Sequence, residues 1–182
     1  MEHITFFSTD KALCDSWKKE FASMDNISIA NCHLDNLTSH DYLVTAGNSY
    51  GIMNGGIDLA IRDYFGVEIQ DRVQWGIASL FGGCLPVGES IRVETDTTVF
   101  PNLIYIPTMI TPQPISVFSM YSILYNAFRG MFDVDGSVAC CGLGCGTGSV
   151  PPDVAAKVFR ETYSAAKADD EFVRECPLQT CQ

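Results

Sequence analysis

The segment LVTAGNSYGIMNGGIDLAIRDYFG, residues 43–66, joins a short apolar run, a glycine-rich loop and a helical pattern in direct succession. The run from Tyr42 to Ala46 is apolar enough to form a strand that is buried on both faces, as strands of parallel sheets are. The glycines that follow predict a loop, and residues 57–65 predict a helix that begins directly after it. The segment therefore predicts a loop between the carboxyl end of a buried strand and the amino end of a helix.

A second segment, SVACCGLGCGTGSVPPDVAAKVF at residues 137–159, repeats this order. Ser137 to Cys141 predicts a strand, and Pro152 to Lys167 predicts a helix with proline near its start, where proline is tolerated. Each loop exposes backbone N–H groups near a helix amino terminus, where free donors and the helix dipole favour phosphate oxygens. Glycine also lets a ligand approach the backbone closely, because it has no Cβ. Together the two loops predict a diphosphate site formed by neutral amides.

The rest of the chain predicts further alternation of strands and helices. It opens with a strand from His3 to Ser8, a helix that Asp10 caps, and a second strand from Ile27 to Ala30. This order indicates a layered α/β domain. Two more strands are predicted at residues 90–94 and 103–107, and two more helices at residues 67–81 and 117–132. We expect a single domain over residues 1–170 and a mobile tail over residues 171–182.

Composition and charge argue against several classes of function. The chain has 182 residues, 47% of them hydrophobic, and 22 acidic against 11 basic residues give a net charge of −11. This charge repels phosphate polymers and anionic lipid surfaces, so we expect neither nucleic acid nor a membrane as a partner. The amino terminus lacks the basic and apolar segments of an export signal, so we expect a cytoplasmic protein. The eight cysteines show no CxxC spacing, so we expect no metal, and no cofactor is predicted.

Neither glycine loop has the pattern of two common nucleotide-binding motifs. GxxxxGK[ST] is absent and no lysine follows either loop, which argues against a P-loop triphosphatase. The first loop does not carry G-x-G-x-x-G directly after its strand, which argues against a Rossmann fold. No serine or cysteine is paired with a histidine in a recognisable nucleophilic arrangement.

Residues 43–66 resemble the macrodomain segment in which a buried strand ends in an Asn-Ala-Ala-Asn-like box and continues through Gly-Gly-Gly-Val-Asp into a helix. LPVGESIRVET at residues 85–95, NLIYIPTMITP at residues 102–112 and the second glycine loop then follow in the family's order. The resemblance extends from Ile27 to Phe159 and is closest to the divergent macrodomain-like proteins of bacteria and their phages. It implies a three-layer α/β/α sandwich with a mixed central sheet and, for a phage protein, a location in the host cytoplasm.

The resemblance also implies a ligand and the residues that contact it. The implied ligand is ADP-ribose, an ADP-ribosylated protein or an NAD-derived nucleotide. Asn48 is expected to orient the distal ribose, and Asp58 to position or deprotonate a water that attacks it, so both are expected to be catalytic. The expected ligand contacts are Asp35, Ser49, Gly55, Gly56, Ile57, Gly142, Leu143, Gly144, Cys145, Gly146, Thr147 and Gly148.

Three positions depart from the family's pattern. Thr45 stands where the first asparagine of the box is expected, and Gly148 stands where an aromatic residue commonly packs on the distal ribose. The aspartate that receives the adenine amino group in the family aligns near His33, and Asp35 is the nearest carboxylate. These departures indicate altered contacts at both ends of the nucleotide.

Three functions remain open at the level of sequence. The first is hydrolysis of ADP-ribosyl linkages or of ADP-ribose 1''-phosphate. The second is non-catalytic reading of ADP-ribose or a nucleotide signal, and the third is an interaction or structural role with a degenerate pocket. Asp58 itself has two interpretations, because an acidic residue just inside a helix start also caps free N–H groups.

Overall fold

A computed structural model describes residues 3–175, which form one mixed sheet covered by helices. The strands are β1 (His3–Ser8), β2 (Ile27–Asn31), β3 (Tyr42–Asn48), β4 (Ile91–Glu94), β5 (Asn102–Met109) and β6 (Ser137–Cys141). They lie in the order β2-β1-β6-β3-β5-β4, and β4 alone among these described strands pairs antiparallel with its neighbour. The carboxyl ends of the parallel strands therefore meet at one edge of the sheet.

The helices form two groups, which gives three layers in all. They are α1 (Lys11–Glu20), α2 (Gly56–Phe65), α3 (Glu68–Phe81), α4 (Val117–Phe132) and α5 (Pro152–Glu175). Helix α5 packs against both α1 and α4, whereas α2 packs on β3 and α3 on β4. In the first group the Phe6 ring lies 5.4 Å from that of Trp17 and 5.3 Å from that of Phe159, between centroids. The predicted three-layer α/β/α sandwich with a mixed sheet is confirmed.

The helices differ in whether a side chain caps the N–H groups of their first turn. Asp10 caps α1 by accepting a hydrogen bond of 2.8 Å from the Ala12 N–H, and Ser116 caps α4 by accepting one of 3.0 Å from the Ser119 N–H. Helix α2 instead follows Gly55, which offers no side chain to its free N–H groups. These donors are therefore left for another acceptor.

Most predicted boundaries agree with the structure to within two residues, but the last helix is longer. Both α4 and β6 have their predicted bounds, and β3 continues two residues further, to Asn48. Helix α5 runs to Glu175 rather than Lys167, past the predicted domain boundary at residue 170. The remainder of the predicted tail, residues 176–182, lies outside the described residues. No helix within residues 3–175 has the length and apolar character that crossing a bilayer requires.

Candidate functional site

A cleft of about 640 Å³ opens where the carboxyl ends of β1, β2, β3, β5 and β6 meet. Its volume lies within the range typical of small-molecule sites. Its walls come from residues 7–10 and 32–34, from residues 46–48 and 108–109, and from both glycine loops, at residues 54–58, 141–142 and 144–148. The two loops predicted to act together are thus on one cleft, and the space between them is open.

The first loop presents backbone donors at the start of α2. The N–H groups of Gly55, Gly56 and Ile57 donate to no acceptor within residues 3–175. Gly56 has a φ of 57°, a left-handed conformation that glycine adopts without strain. All three residues line the cleft. This loop therefore combines free donors with the positive end of a helix dipole.

The second loop is a compact turn held by its own backbone. The Cys145 N–H donates to the Gly142 carbonyl oxygen at 3.0 Å, and the Ser149 N–H donates to the Gly146 carbonyl oxygen at 2.9 Å. The N–H groups not used in this way, among residues 3–175, include those of Gly144, Gly146, Thr147 and Gly148, all of which line the cleft. The fixed turn therefore leaves a second set of free donors on the same cleft.

The conformation of the second loop requires glycine at position 148. A Cβ at this position would lie 2.4 Å from the Gly144 carbonyl oxygen, which is closer than any real side chain allows. The aromatic residue that the family commonly places here would force the loop to move. The departure at Gly148 is therefore built into the conformation of the turn.

The cleft contains no cationic side chain of lysine or arginine. All of the 11 lysines and arginines fall within residues 3–175, and none of them lines it. Its carboxylates are those of Asp10, which caps α1, and Asp58. An anion in the cleft therefore depends on donors other than lysine and arginine, such as the backbone N–H groups that the loop sequences predict.

Asp58 is buried in the first turn of α2, with 4% of its surface exposed. Its Oδ1 accepts a hydrogen bond of 2.8 Å from the hydroxyl of Thr45 on β3. Burial raises the pKa of Asp58 to about 7, while the hydroxyls of Thr45 and, less strongly, Tyr105 act to lower it. The Asp58 carboxyl lies on the cleft. A pKa raised towards neutral is a property common in catalytic acids and bases.

The Asn48 amide shapes the first loop. Its Nδ2 donates to the Ile52 carbonyl oxygen at 2.7 Å, and its Oδ1 accepts from the N–H groups of Tyr50 at 3.1 Å and Ile52 at 3.3 Å. Asn48 also lines the cleft. One amide proton remains for a ligand once these bonds are made.

Three predicted ligand contacts lie away from the cleft wall. Asp35 is exposed in a short 3₁₀ turn, and His33 and Cys32 form the nearby wall instead. Leu143 is fully buried in the core. Ser49 is also buried, because its backbone bridges the Met109 and Leu85 segments and turns its side chain inward. In a loop the sequence cannot show which side each residue faces.

The sequence interpretation missed two contributors to the site. Thr45 departs from the family pattern, but its hydroxyl contacts Asp58. Tyr105 on β5 holds the start of the first loop, since its hydroxyl accepts from the Asn48 N–H and donates to the Asn48 carbonyl oxygen, both at 3.0 Å. A polar ring in an otherwise apolar buried strand was the available signal for Tyr105.

The cysteines of the cleft are not activated thiols. Burial raises the pKa of Cys145 to about 12 and also raises the pKa of Cys141. Both therefore stay protonated and weakly nucleophilic at neutral pH. Within residues 3–175 no three His, Cys, Asp or Glu side chains converge as a metal site requires.

Replacing Ser49 with alanine is expected to leave stability unchanged or to raise it by up to about 1 kcal/mol. The Ser49 hydroxyl is buried without a hydrogen-bond partner among the described residues. Removing an unpaired buried hydroxyl relieves a desolvation penalty and creates little empty space. Urea denaturation of Ser49→Ala beside the wild type measures this, and a loss above about 1 kcal/mol would show that the hydroxyl has a partner.

The features above define a class of protein, an α/β/α domain whose mixed sheet carries a glycine-walled cleft at the carboxyl ends of its parallel strands. The chain belongs to the macro domain family, since the family model described as Macro domain matches residues 44–159. Members of this family bind ADP-ribose.

The chain is also similar to one curated protein in sequence and to solved macrodomains in fold. An uncharacterized protein of Aquifex aeolicus (strain VF5) is 29% identical over 126 residues, which cover 66% of this chain and 71% of that one. The macrodomain of Thermus aquaticus DarG has a TM-score of 0.62 at 18% identity and covers 74% of this chain and 87% of its own. The macrodomain of Mycobacterium tuberculosis DarG has a TM-score of 0.60 at 20% identity, covering 70% and 83%. The Oceanobacillus iheyensis macrodomain with ADP has a TM-score of 0.54 at 18% identity, covering 79% and 89%.

Proposed function

We propose that this chain binds ADP-ribose or a closely related NAD-derived nucleotide, with the diphosphate between its two glycine loops. The observation that carries the proposal is the pair of loops with unpaired N–H groups, at residues 55–57 and at residues 144 and 146–148, on one cleft without lysine or arginine. Peptide dipoles and a helix amino terminus favour phosphate oxygens at such a place.

Two glycines of the cleft support the proposal because the fold does not require them. A Cβ at Gly55 or at Gly146 would meet no atom within 4 Å, and neither residue has a left-handed φ. Alanine would therefore fit the protein itself at both positions. A ligand that presses on the backbone gives a reason for the missing side chains.

Valine in place of Gly146 is expected to weaken ADP-ribose binding by at least about tenfold and to leave the fold intact. The added side chain would occupy the space in which the diphosphate meets the loop, and its Cβ would meet no protein atom within 4 Å. Isothermal titration with ADP-ribose measures the loss, and thermal melting of the unliganded variant checks the fold. Ser49→Ala, from the first loop but with its side chain off the cleft, is the matched control and should bind as the wild type does. Wild-type affinity in Gly146→Val would contradict the proposed position of the diphosphate.

A second part of the proposal is that the chain hydrolyses an ADP-ribosyl linkage or ADP-ribose 1''-phosphate. The observation that favours it is Asp58, a buried carboxyl on the cleft whose pKa is raised to about 7, as suits a general base at neutral pH. Asn48 shapes the loop beside it. In this mechanism Asp58 positions a water and accepts its proton as the water oxygen bonds to the anomeric carbon or to the phosphorus. The bond from that atom to the linked side chain, or to the ribose oxygen, breaks, and the leaving group takes up a proton from solvent.

Turnover separates hydrolysis from non-catalytic reading and from a structural role. ADP-ribosylated protein and ADP-ribose 1''-phosphate are incubated with the wild type, Asp58→Ala and Asn48→Ala. Release of product by the wild type alone supports catalysis. Binding without turnover in all three supports a reader. No binding of ADP-ribose at millimolar concentration supports an interaction or structural role and overturns the nucleotide assignment.

A further inference from the structure

A hydrogen bond beneath the cleft joins the central strand β3 to the first turn of α2. The Oγ1 of Thr45 lies 2.8 Å from Oδ1 of Asp58, and Thr45 is fully buried. The two residues are 13 positions apart and are separated by the whole first glycine loop. This bond therefore fixes the carboxyl relative to the sheet independently of the loop between them.

The Thr45 hydroxyl acts as a hydrogen-bond donor to the Asp58 carboxyl. The hydroxyl makes no other hydrogen bond to residues 3–175, and an ionised carboxylate can only accept, so Thr45 must donate to it. Valine has nearly the same shape and a high preference for strands, so packing alone does not call for a hydroxyl at this position. With Oδ1 held in this way, the carboxyl has a fixed orientation on the wall of the cleft.

We propose that Thr45 is a positioning residue, whose hydroxyl holds the Asp58 carboxyl in one orientation towards the bound nucleotide. This inference rests on the proposed function in one respect, namely that Asp58 acts on the ligand. Tyr105 supports the same arrangement from β5, because it pairs with both backbone groups of Asn48 next to the carboxyl. The asparagine expected at position 45 from the family pattern is thus replaced by a residue that contacts Asp58 directly.

The groups that face Asp58 make its titration a clean readout of this contact. The titratable groups around it are the Tyr105 phenol on β5 and the Cys141 thiol on β6, and the pKa of each is raised by burial, so both are neutral at pH 7. No lysine, arginine or further carboxylate within residues 3–175 shifts the pKa of Asp58. Burial raises this pKa and the Thr45 hydroxyl opposes the shift, so loss of the hydroxyl must move it upward.

The test compares Thr45→Val with Thr45→Ser in the full chain without ligand. The Asp58 carboxyl is followed by carbon-13 NMR from pH 4 to pH 10, and Asp58→Asn identifies its resonance. Thr45→Val is expected to raise the midpoint by about one pH unit, and Thr45→Ser, which keeps the donor, is expected to restore it. Thr162→Val is the matched control, because Thr162 is buried in α5 and its hydroxyl donates within its own helix. It should leave the midpoint unchanged.

Several outcomes distinguish this inference from the proposed function. An unchanged Asp58 midpoint in Thr45→Val overturns the positioning role. So does a midpoint that is raised in Thr45→Val and equally raised in Thr45→Ser. Should Thr45→Val fail to fold, the wild type is measured instead. The NMR resonance of its Thr45 hydroxyl proton should be protected from exchange and should shift as Asp58 titrates. Absence of such a resonance also overturns the positioning role. If the midpoint moves as expected but no variant and no wild type binds ADP-ribose, the nucleotide assignment fails and the contact between Thr45 and Asp58 stands.

Discussion

Replacing Asp58 with asparagine is expected to make the folded domain more stable at pH 8, by up to about 4 kcal/mol, while abolishing any turnover. The folded pKa of Asp58 is raised from 3.8 to about 7 by burial. Above pH 7 the wild type must therefore keep a buried charge that the unfolded chain exposes to water. Asparagine has the same shape, keeps an acceptor for Thr45 and carries no charge.

The direction of the Asp58 pKa shift decides at which pH the variant is more stable than the wild type. Because the folded pKa is higher than the unfolded one, the contribution of Asp58 to stability is fully present below pH 3.8 and is lost as the pH rises to about 7. The advantage of Asp58→Asn should therefore be greatest at pH 8 and should shrink towards pH 4. Functional residues that destabilise the folded state are common, since activity and stability make different demands.

Urea denaturation at pH 4, 6 and 8 measures the effect. Asp63→Asn is the matched control, since Asp63 lies on the same helix with 67% of its side chain exposed, and we expect little change at any pH. A variant Asp58→Asn that is less stable than the wild type at pH 8 would show that Asp58 is not held as a desolvated carboxylate. Turnover retained in Asp58→Asn would remove this residue from the mechanism.

Alanine in place of Gly47 is expected to lower the free energy of unfolding by about 3 kcal/mol or more. A Cβ at Gly47 would lie 2.0 Å from the Tyr105 hydroxyl oxygen and 2.1 Å from its Cζ. Tyr105 is fully buried and cannot rotate away without giving up its two hydrogen bonds to the Asn48 backbone. The methyl group therefore displaces the ring, the end of β3 or both.

Denaturation of Gly47→Ala beside Gly55→Ala tests this prediction. Both changes add one methyl group to the first loop region, but at Gly55 the methyl meets open space and stability should be unchanged. Adding Tyr105→Phe to Gly47→Ala should not restore stability, because the ring carbons would still clash. Near wild-type stability in Gly47→Ala would mean that β3 and β5 can separate locally without loss of the fold.

The regular elements were largely predictable because periodicity and caps are local properties of the sequence. Asp10 caps its helix, and the bounds of the strand at Ser137–Cys141 and of the helix at Val117–Phe132 agree with the prediction. The end of α5 was not predictable from a buried apolar stripe, because residues 171–175 are all exposed, the apolar Phe172 and Val173 included. There the helix continues through favourable side-chain pairs such as Arg174 with Asp170, four residues apart.

The sequence by itself determined the layered α/β class, the two glycine loops and the absence of cationic phosphate-binding motifs, because these depend on residue type and order along the chain. Only the tertiary structure decided which loop residues face the cleft, with Ser49 and Leu143 turned inward and Asp35 away. It also brought Thr45 to Asp58 and Tyr105 under Gly47. Such contacts join residues far apart in sequence, and a loop without a regular period carries no local signal of the direction in which each side chain points.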